Sequence, residues 1–166
     1  MKSLFIVIFL LFFIPFFSMS DDKAVNCLSS GVNKMRSGDL TGAVADFDRA
    51  IIIDPRFGMA YMLRGESKYC LGDFAGCIMD SSKAIGINSG YTQAYINRGK
   101  AKAALKDLKG ALKDLNKAIE LDPKDAGAFK ARGTVKMGLN DKKGADKDAA
   151  TAAALANNSG YPRLSR

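Results

Sequence analysis

The apolar positions of the chain fall into two patterns. From Leu4 to Phe17 they form one run that includes Pro15, behind Lys2 and ahead of Ser18, Met19, Ser20 and Asp21. At about 14 residues the run is shorter than the roughly 20 that a membrane-spanning helix needs. A short basic start, an apolar stretch and small residues spaced one apart make a secretory signal peptide, read here as residues 1–20 with cleavage after Ser20. An uncleaved anchor is the alternative, and both readings export the remainder of the chain. Asp21, Asp22 and Lys23, then Ala24, Val25 and Asn26, are a poor setting for lipid attachment at Cys27.

Beyond residue 20 the pattern is a repeat with a period of 34. Glycines stand at Gly31, Gly65, Gly99 and Gly133, and small residues at Ala43, Cys77, Ala111 and Ala145. Ala50, Ala84, Ala118 and Ala152 form a third column, and Lys34, Lys68, Lys102, Lys136 and Asp39, Asp73, Asp107, Asp141 two more. A fixed period of this size marks a stack of like units. The units are 24–57, 58–91, 92–125 and 126–159, between a short linker, 21–23, and a tail, 160–166.

Each unit is predicted to hold two helices, so the chain is all-α. The first starts near Val25, Met59, Gln93 or Gly127 and ends near Ser37-Gly38, Leu71-Gly72, Lys106 or Asn140. The Asp column then opens the second helix, because a carboxylate there accepts from free first-turn amides and complements the positive helix end. Asp54-Pro55, Asn88-Ser89-Gly90, Asp122-Pro123 and Asn157 to Gly160 stop it. Glycine costs about 1 kcal/mol relative to Ala inside a helix, so its recurrence at Gly31, Gly65, Gly99 and Gly133 calls for close helix approach.

Composition narrows the function. With 166 residues, 48% of them hydrophobic, the chain can bury a core, but it has no His. That removes the usual general base and the commonest metal ligand, excluding Ser/His/Asp and Cys/His catalysis. The chain is read as not an enzyme, with no cofactor and no metal site. Its three cysteines, Cys27, Cys70 and Cys77, lack metal-ligand spacing and allow at most one internal bridge. Cys27 and Cys77 fall in packing columns, while Cys70 and Cys77 flank a turn. No later apolar run has membrane length, so the cleaved chain is expected to be soluble.

The repeat resembles the tetratricopeptide repeat, whose pattern is an aromatic, a Gly four residues on, then Ala, an aromatic, Ala and a final Pro. Tyr61, Tyr95 and Phe129 hold the first aromatic column, Phe47 and Leu115 the later one, and Pro55 and Pro123 close two units. Cys27, Ser81 and Ala149 depart from the pattern, which makes units one and four degenerate, as terminal repeats often are. The resemblance implies a right-handed α-solenoid of stacked antiparallel helix pairs. It also implies that function lies in binding along a concave groove made by the first helices.

On that geometry the groove is lined by Leu28, Val32, Met59, Met62, Leu63, Glu66, Tyr69, Gln93, Ile96, Asn97, Lys100, Lys130 and Thr134. Residues 24–91 carry seven basic and seven acidic side chains, residues 92–166 sixteen and eight. The first half thus offers adaptable Met, Leu and Tyr, the second amides and ammonium groups, which suits a peptide with an apolar and an acidic end. The subclass that grips chaperone C-termini places a Lys/Asn pair, an Asn and a Lys/Arg pair in successive repeats, where this chain has Leu28 and Val32, Leu63, then Gln93 and Asn97 in its first three units, or Met62 and Glu66, Asn97, then Gly127 and Ala131 in its last three. Only Asn97 fits, so a chaperone co-factor is not expected.

Two further columns face each other: Arg64, Arg98 and Arg132, and Asp46, Asp80, Asp114 and Asp148. The first unit has Ser30 where the others have Arg. This predicts pairs between units, Arg64 to Asp46, Arg98 to Asp80 and Arg132 to Asp114, with Asp148 free and the Lys column on a solvated face; pairs within units would instead leave Asp46 as the orphan.

The function that emerges is a protein-binding adaptor or scaffold, periplasmic or secreted, whose partner is a protein or peptide. Two alternatives remain. One is self-assembly through an uncovered end at Ala149 to Ala156, giving a homo-oligomer. The other is capture of anionic envelope components by Lys100, Lys102, Lys106, Lys109, Lys113 and Lys117. Nucleic acid is not expected, because residues 98–128 lack interleaved aromatic side chains.

Overall fold

The computed structural model describes residues 18–158, all eight of whose elements are α-helices. They are α1 (Ser18–Ser37), α2 (Leu40–Ile53), α3 (Gly58–Cys70), α4 (Phe74–Ile87), α5 (Thr92–Ala104), α6 (Leu108–Leu121), α7 (Ala126–Gly138) and α8 (Lys142–Asn158). The apolar run Leu4–Phe17 and the tail 160–166 lie outside the described residues, and the expected cleavage point falls in the first turn of α1. That helix begins at Ser18 rather than near Val25, whereas α3, α5 and α7 start within one residue of expectation. No helix among the described residues is long and apolar enough to cross a membrane.

Four hairpins, α1/α2, α3/α4, α5/α6 and α7/α8, stack in order. Each second helix packs on the next first helix, and first helices also touch one another along the stack. Close approach within the first and third hairpins depends on their glycines. A Cβ added at Gly31 would lie 2.5 Å from Phe47 Cε1, and one at Gly99 2.9 Å from Leu115 Cγ. Phe47 and Leu115 are completely buried against these glycines. The alanine columns show where neighbouring units press: Ala50, Ala84 and Ala118 have no exposure, while Ala152, in the last of the described units, is half-buried.

The second helices start as predicted. Asp39, Asp73, Asp107 and Asp141 accept from the backbone N–H of Gly42, Gly76, Gly110 and Gly144 at 2.8–2.9 Å. These glycines are a further 34-residue column, not among those singled out from the sequence. A Cβ there would sit 2.0–2.1 Å from the capping carboxylate oxygen, so the cap and the glycine are one device.

Between the two helices of each hairpin one residue takes positive φ: Gly38 (86°), Gly72 (84°), Lys106 (69°) and Asn140 (63°). Lysine pays a Cβ clash there that glycine avoids. Lys106→Gly is therefore expected to raise stability by up to about 1 kcal/mol, read as a higher urea midpoint at unchanged slope.

Candidate functional site

The hairpins are clamped by a polar ladder, and its pairing corrects the expectation from sequence. Arg64, Arg98 and Arg132 do not bind Asp46, Asp80 and Asp114 of the preceding units. Each donates from Nε and Nη2 to the carboxylate 16 residues on in its own hairpin: Asp80, Asp114 and Asp148. Packed antiparallel helices joined by a three-residue turn bring these positions opposite each other. The remaining Nη1 does reach the preceding unit, but at another column: Asp48, Ser82 (3.1 Å) and Asn116 (2.9 Å). The arginine is thus needed where a preceding unit exists, as its absence from unit one implied, with a different acceptor from the one expected.

Asp148 is not free, and the lysines are not on a solvated face. Lys34, Lys68, Lys102 and Lys136 bind Asp46, Asp80, Asp114 and Asp148 at 2.7–2.9 Å. Every one of these carboxylates is nearly buried, so each needs the full set of donors around it. In unit one Ser30 (2.6 Å) and Arg49 (2.9 Å) bind Asp46 in the place of the missing Arg. Hydrogen bonds from Lys34 and Ser30 hold the Asp46 carboxyl below its ordinary range. At Asp148 burial pushes upward, but Arg132 and Lys136 outweigh it and the net shift is down. Each Arg also lies over the aromatic three residues before it, 5.4 Å from Tyr61, 5.6 Å from Tyr95 and 5.3 Å from Phe129. Unit one loses both partners together, with Cys27 and Ser30 in their places.

The first-helix face treats the expected groove residues unequally. Met59, Lys100, Lys130 and Thr134 are exposed. Leu28, Val32, Met62, Leu63, Glu66, Tyr69 and Gln93 are half-buried. Ile96 and Asn97 are buried, at 2% and 3% exposure, and cannot line an open groove. Ile96 belongs to the core with Tyr95, Leu115 and Val135. The Asn97 side chain accepts from Gln93 Nε2 (2.8 Å) and donates to the Met62 carbonyl (3.4 Å), tying α5 to α3. The amides expected to meet a peptide backbone are therefore satisfied by each other and by the fold.

What stays open is a cavity of about 550 Å³ running across α3, α5 and α7. Tyr69, Lys100, Lys130 and Thr134 line it together with Lys106, Leu108 and Val135 and the small residues Ala103, Ala104, Gly127, Ala131 and Gly138. Lys100 Nζ lies 5.7 Å from the centre of the Tyr69 ring. No carboxylate lines the cavity. Lys106 and the alanines were not expected at this site: the lysine joins it through the chain reversal at its positive φ, and the alanines read in sequence as ordinary helix formers.

The cysteines are free: Cys27 half-buried, Cys70 exposed, Cys77 buried. Burial pushes the Cys77 thiol up to about 11, and its Sγ lies 3.5 Å from the Asn97 carbonyl. Protonated and enclosed, it is core.

With this geometry known, the chain can be set beside other proteins. The family described as tetratricopeptide repeat matches residues 92–125, the α5/α6 hairpin with its loop. The first TPR domain of Spaghetti (RPAP3), bound to the HSP90 peptide SRMEEVD, is similar at TM-score 0.70 and 27% identity, over 72% of this chain and 95% of that one. Residues 92–125 of this chain match a tetratricopeptide repeat, and the fold is that of the TPR domain. Its α-solenoid is shared with two further TPR-fold structures. MamA from Desulfovibrio magneticus RS-1 has TM-score 0.73 and 19% identity, over 83% of this chain and 78% of that one. A thermophilic TPR protein of Thermus thermophilus has TM-score 0.75 and 23% identity, over 81% and 75%. No curated protein matches the chain.

Proposed function

We propose that this repeat protein is an exported, non-catalytic adaptor that binds an extended polypeptide segment on its first-helix face. The segment is apolar at the end that meets Met59, Met62 and Leu63, and acidic at the end that meets Lys100 and Lys130. The observation that carries this reading is the cavity beside Tyr69, lined by three lysines, several alanine and glycine residues and no carboxylate. Small lining residues leave room for a main chain, and ammonium groups with no carboxylate among the lining favour Asp, Glu or a terminal carboxylate. Export rests on the signal pattern of residues 1–20, and a periplasmic or secreted location follows from it.

The HSP90 peptide is the ligand of the RPAP3 domain. In this chain Leu28, Val32 and Leu63 occupy the gripping positions, and Asn97 is buried, so that clamp is not reproduced.

End-to-end assembly of copies is less well supported. A following copy would bring Ser30 in place of the bridging Arg and Asn26 in place of the buried Ala60, Ala94 and Ala128. It would meet Ala150 where Asp48, Ser82 and Asn116 supply the acceptor.

Selection of displayed random peptides on immobilised residues 21–166 tests the groove. Segments joining an apolar cluster to acidic residues are expected. Lys100→Glu/Lys130→Glu should weaken the selected peptides at least about tenfold, the loss of one charged hydrogen bond or more. Selection that yields no acidic residues, or binding indifferent to this double substitution and to Met59→Asp, would overturn the reading.

A further inference from the structure

The turns inside the four hairpins all lie along one edge of the solenoid, and that edge carries side chains the fold does not use. Leu71, Leu105 and Leu139 occupy equivalent positions in units two, three and four, each closing a first helix, with exposures of 50%, 53% and 37%. Stacked helices pack 8–10 Å apart, so the three leucines form a row at a spacing of roughly 10 Å. Beside them in units three and four stand the exposed Lys106, Lys109, Lys142 and Lys143.

These lysines run against local electrostatics. Lys109, Lys142 and Lys143 occupy first turns, at the positive end of α6 and α8, where a cation is disfavoured. The carboxylates on the edge, Asp39, Asp73, Asp107 and Asp141, are engaged as helix caps by Gly42, Gly76, Gly110 and Gly144. They remain exposed, and in units three and four the four lysines outnumber Asp107 and Asp141. Residues that contradict local helix rules without an internal partner point to a contact outside the molecule.

We propose that this leucine and lysine edge docks on the surface of an anionic lipid bilayer. Three single leucines separated by polar turns are too sparse for the packed centre of a protein interface, which needs contiguous buried area. A fluid headgroup layer admits isolated apolar side chains, and each lysine beside an anionic leaflet is worth about fivefold in partitioning. The edge shares none of Tyr69, Lys100 and Lys130 with the cavity, so the inference stands or falls independently of the peptide reading. With the edge on the membrane, only Lys106 is shared with the cavity.

The chain contains no Trp, so a single introduced Trp reports its own position even if another segment also binds lipid. Leu105→Trp and, as a control on the exposed outer side of α2, Ile52→Trp are placed in the full chain. Each is mixed with phosphatidylcholine vesicles with and without phosphatidylglycerol, carrying brominated acyl chains. The expected result is quenching several-fold stronger for Leu105→Trp than for Ile52→Trp, on the anionic vesicles. It should be lost when Lys106, Lys109, Lys142 and Lys143 are changed to Glu in the Leu105→Trp chain, with helical circular dichroism retained. Equal quenching at the two positions, none at Leu105→Trp, or quenching indifferent to lipid charge or to the four lysines would overturn the proposal. A protein partner for this edge would give the second of these results.

Discussion

Asp114→Ala is expected to destabilise the protein by about 3 kcal/mol, because removal of one member of a buried ion cluster strands the others. Asp114 is 3% exposed and accepts from Arg98 Nε (2.9 Å), Arg98 Nη2 (2.8 Å) and Lys102 Nζ (2.7 Å). Arg98 and Lys102 are themselves only 19% and 22% exposed, so neither cation can recover full hydration by small movements. The same change in the first unit, Asp46→Ala, should cost clearly less. Its Arg49 is 66% exposed and Lys34 37%, so both cations turn into water. Asp48→Ala, at a half-exposed acceptor between units, should cost no more than about 1 kcal/mol. Urea unfolding of the three variants checks the order. Equal losses at Asp46 and Asp114 would contradict this ladder.

Leu115→Ala should cost about 2–5 kcal/mol, the range for opening a cavity in a rigid core. Leu115 has no exposure and sits over Gly99, with Tyr95, Ile96 and Val135 in the same core. Gly99→Ala attacks the contact from the other side. Its Cβ would lie 2.9 Å from Leu115 Cγ and 3.3 Å from the Ala111 carbonyl, and overpacking of this kind costs about 1–3 kcal/mol. The Ala111 carbonyl belongs to the α6 backbone and cannot withdraw as a side chain can. The two changes should therefore couple: with Leu115 shortened, the Gly99 substitution loses its clash with Cγ but keeps the one with the carbonyl. A double-mutant cycle by chemical denaturation should show the pair less costly than the sum of the single changes. Additivity would mean that Gly99 and Leu115 do not share a contact.

Both predictions concern residues that were visible as 34-residue columns, and the cycle of Gly99 with Leu115 was legible from glycine's cost inside a helix. The ladder was legible only in part. Its members, Arg98, Lys102 and Asp114, stood out as recurring charges, yet which carboxylate meets which guanidinium depends on rotation of the helices about their axes. A shift of one column changes the partner from the same hairpin to the neighbouring one, and sequence spacing does not report that rotation. The arginines also use two acceptors at once, a possibility that a one-to-one reading of two columns hides. At the site, Lys100, Lys130 and Tyr69 line one cavity, while Ile96 and Asn97 are buried. They stand on the same helix as Lys100, but on the side that α3 and α7 cover.

By itself the sequence determined the helical class, the four-unit stack, the starts of α3, α5 and α7 and the carboxylate caps of the second helices. These follow from local rules, periodicity, capping and turn chemistry, which act over a few residues and repeat identically in each unit. Tertiary structure decided the ion pairing, the burial of Asn97, the entry of Lys106 into the cavity wall and the exposure of the leucines on the turn edge. Each of these depends on which face of a helix its neighbours cover, and that is settled only when the units stack.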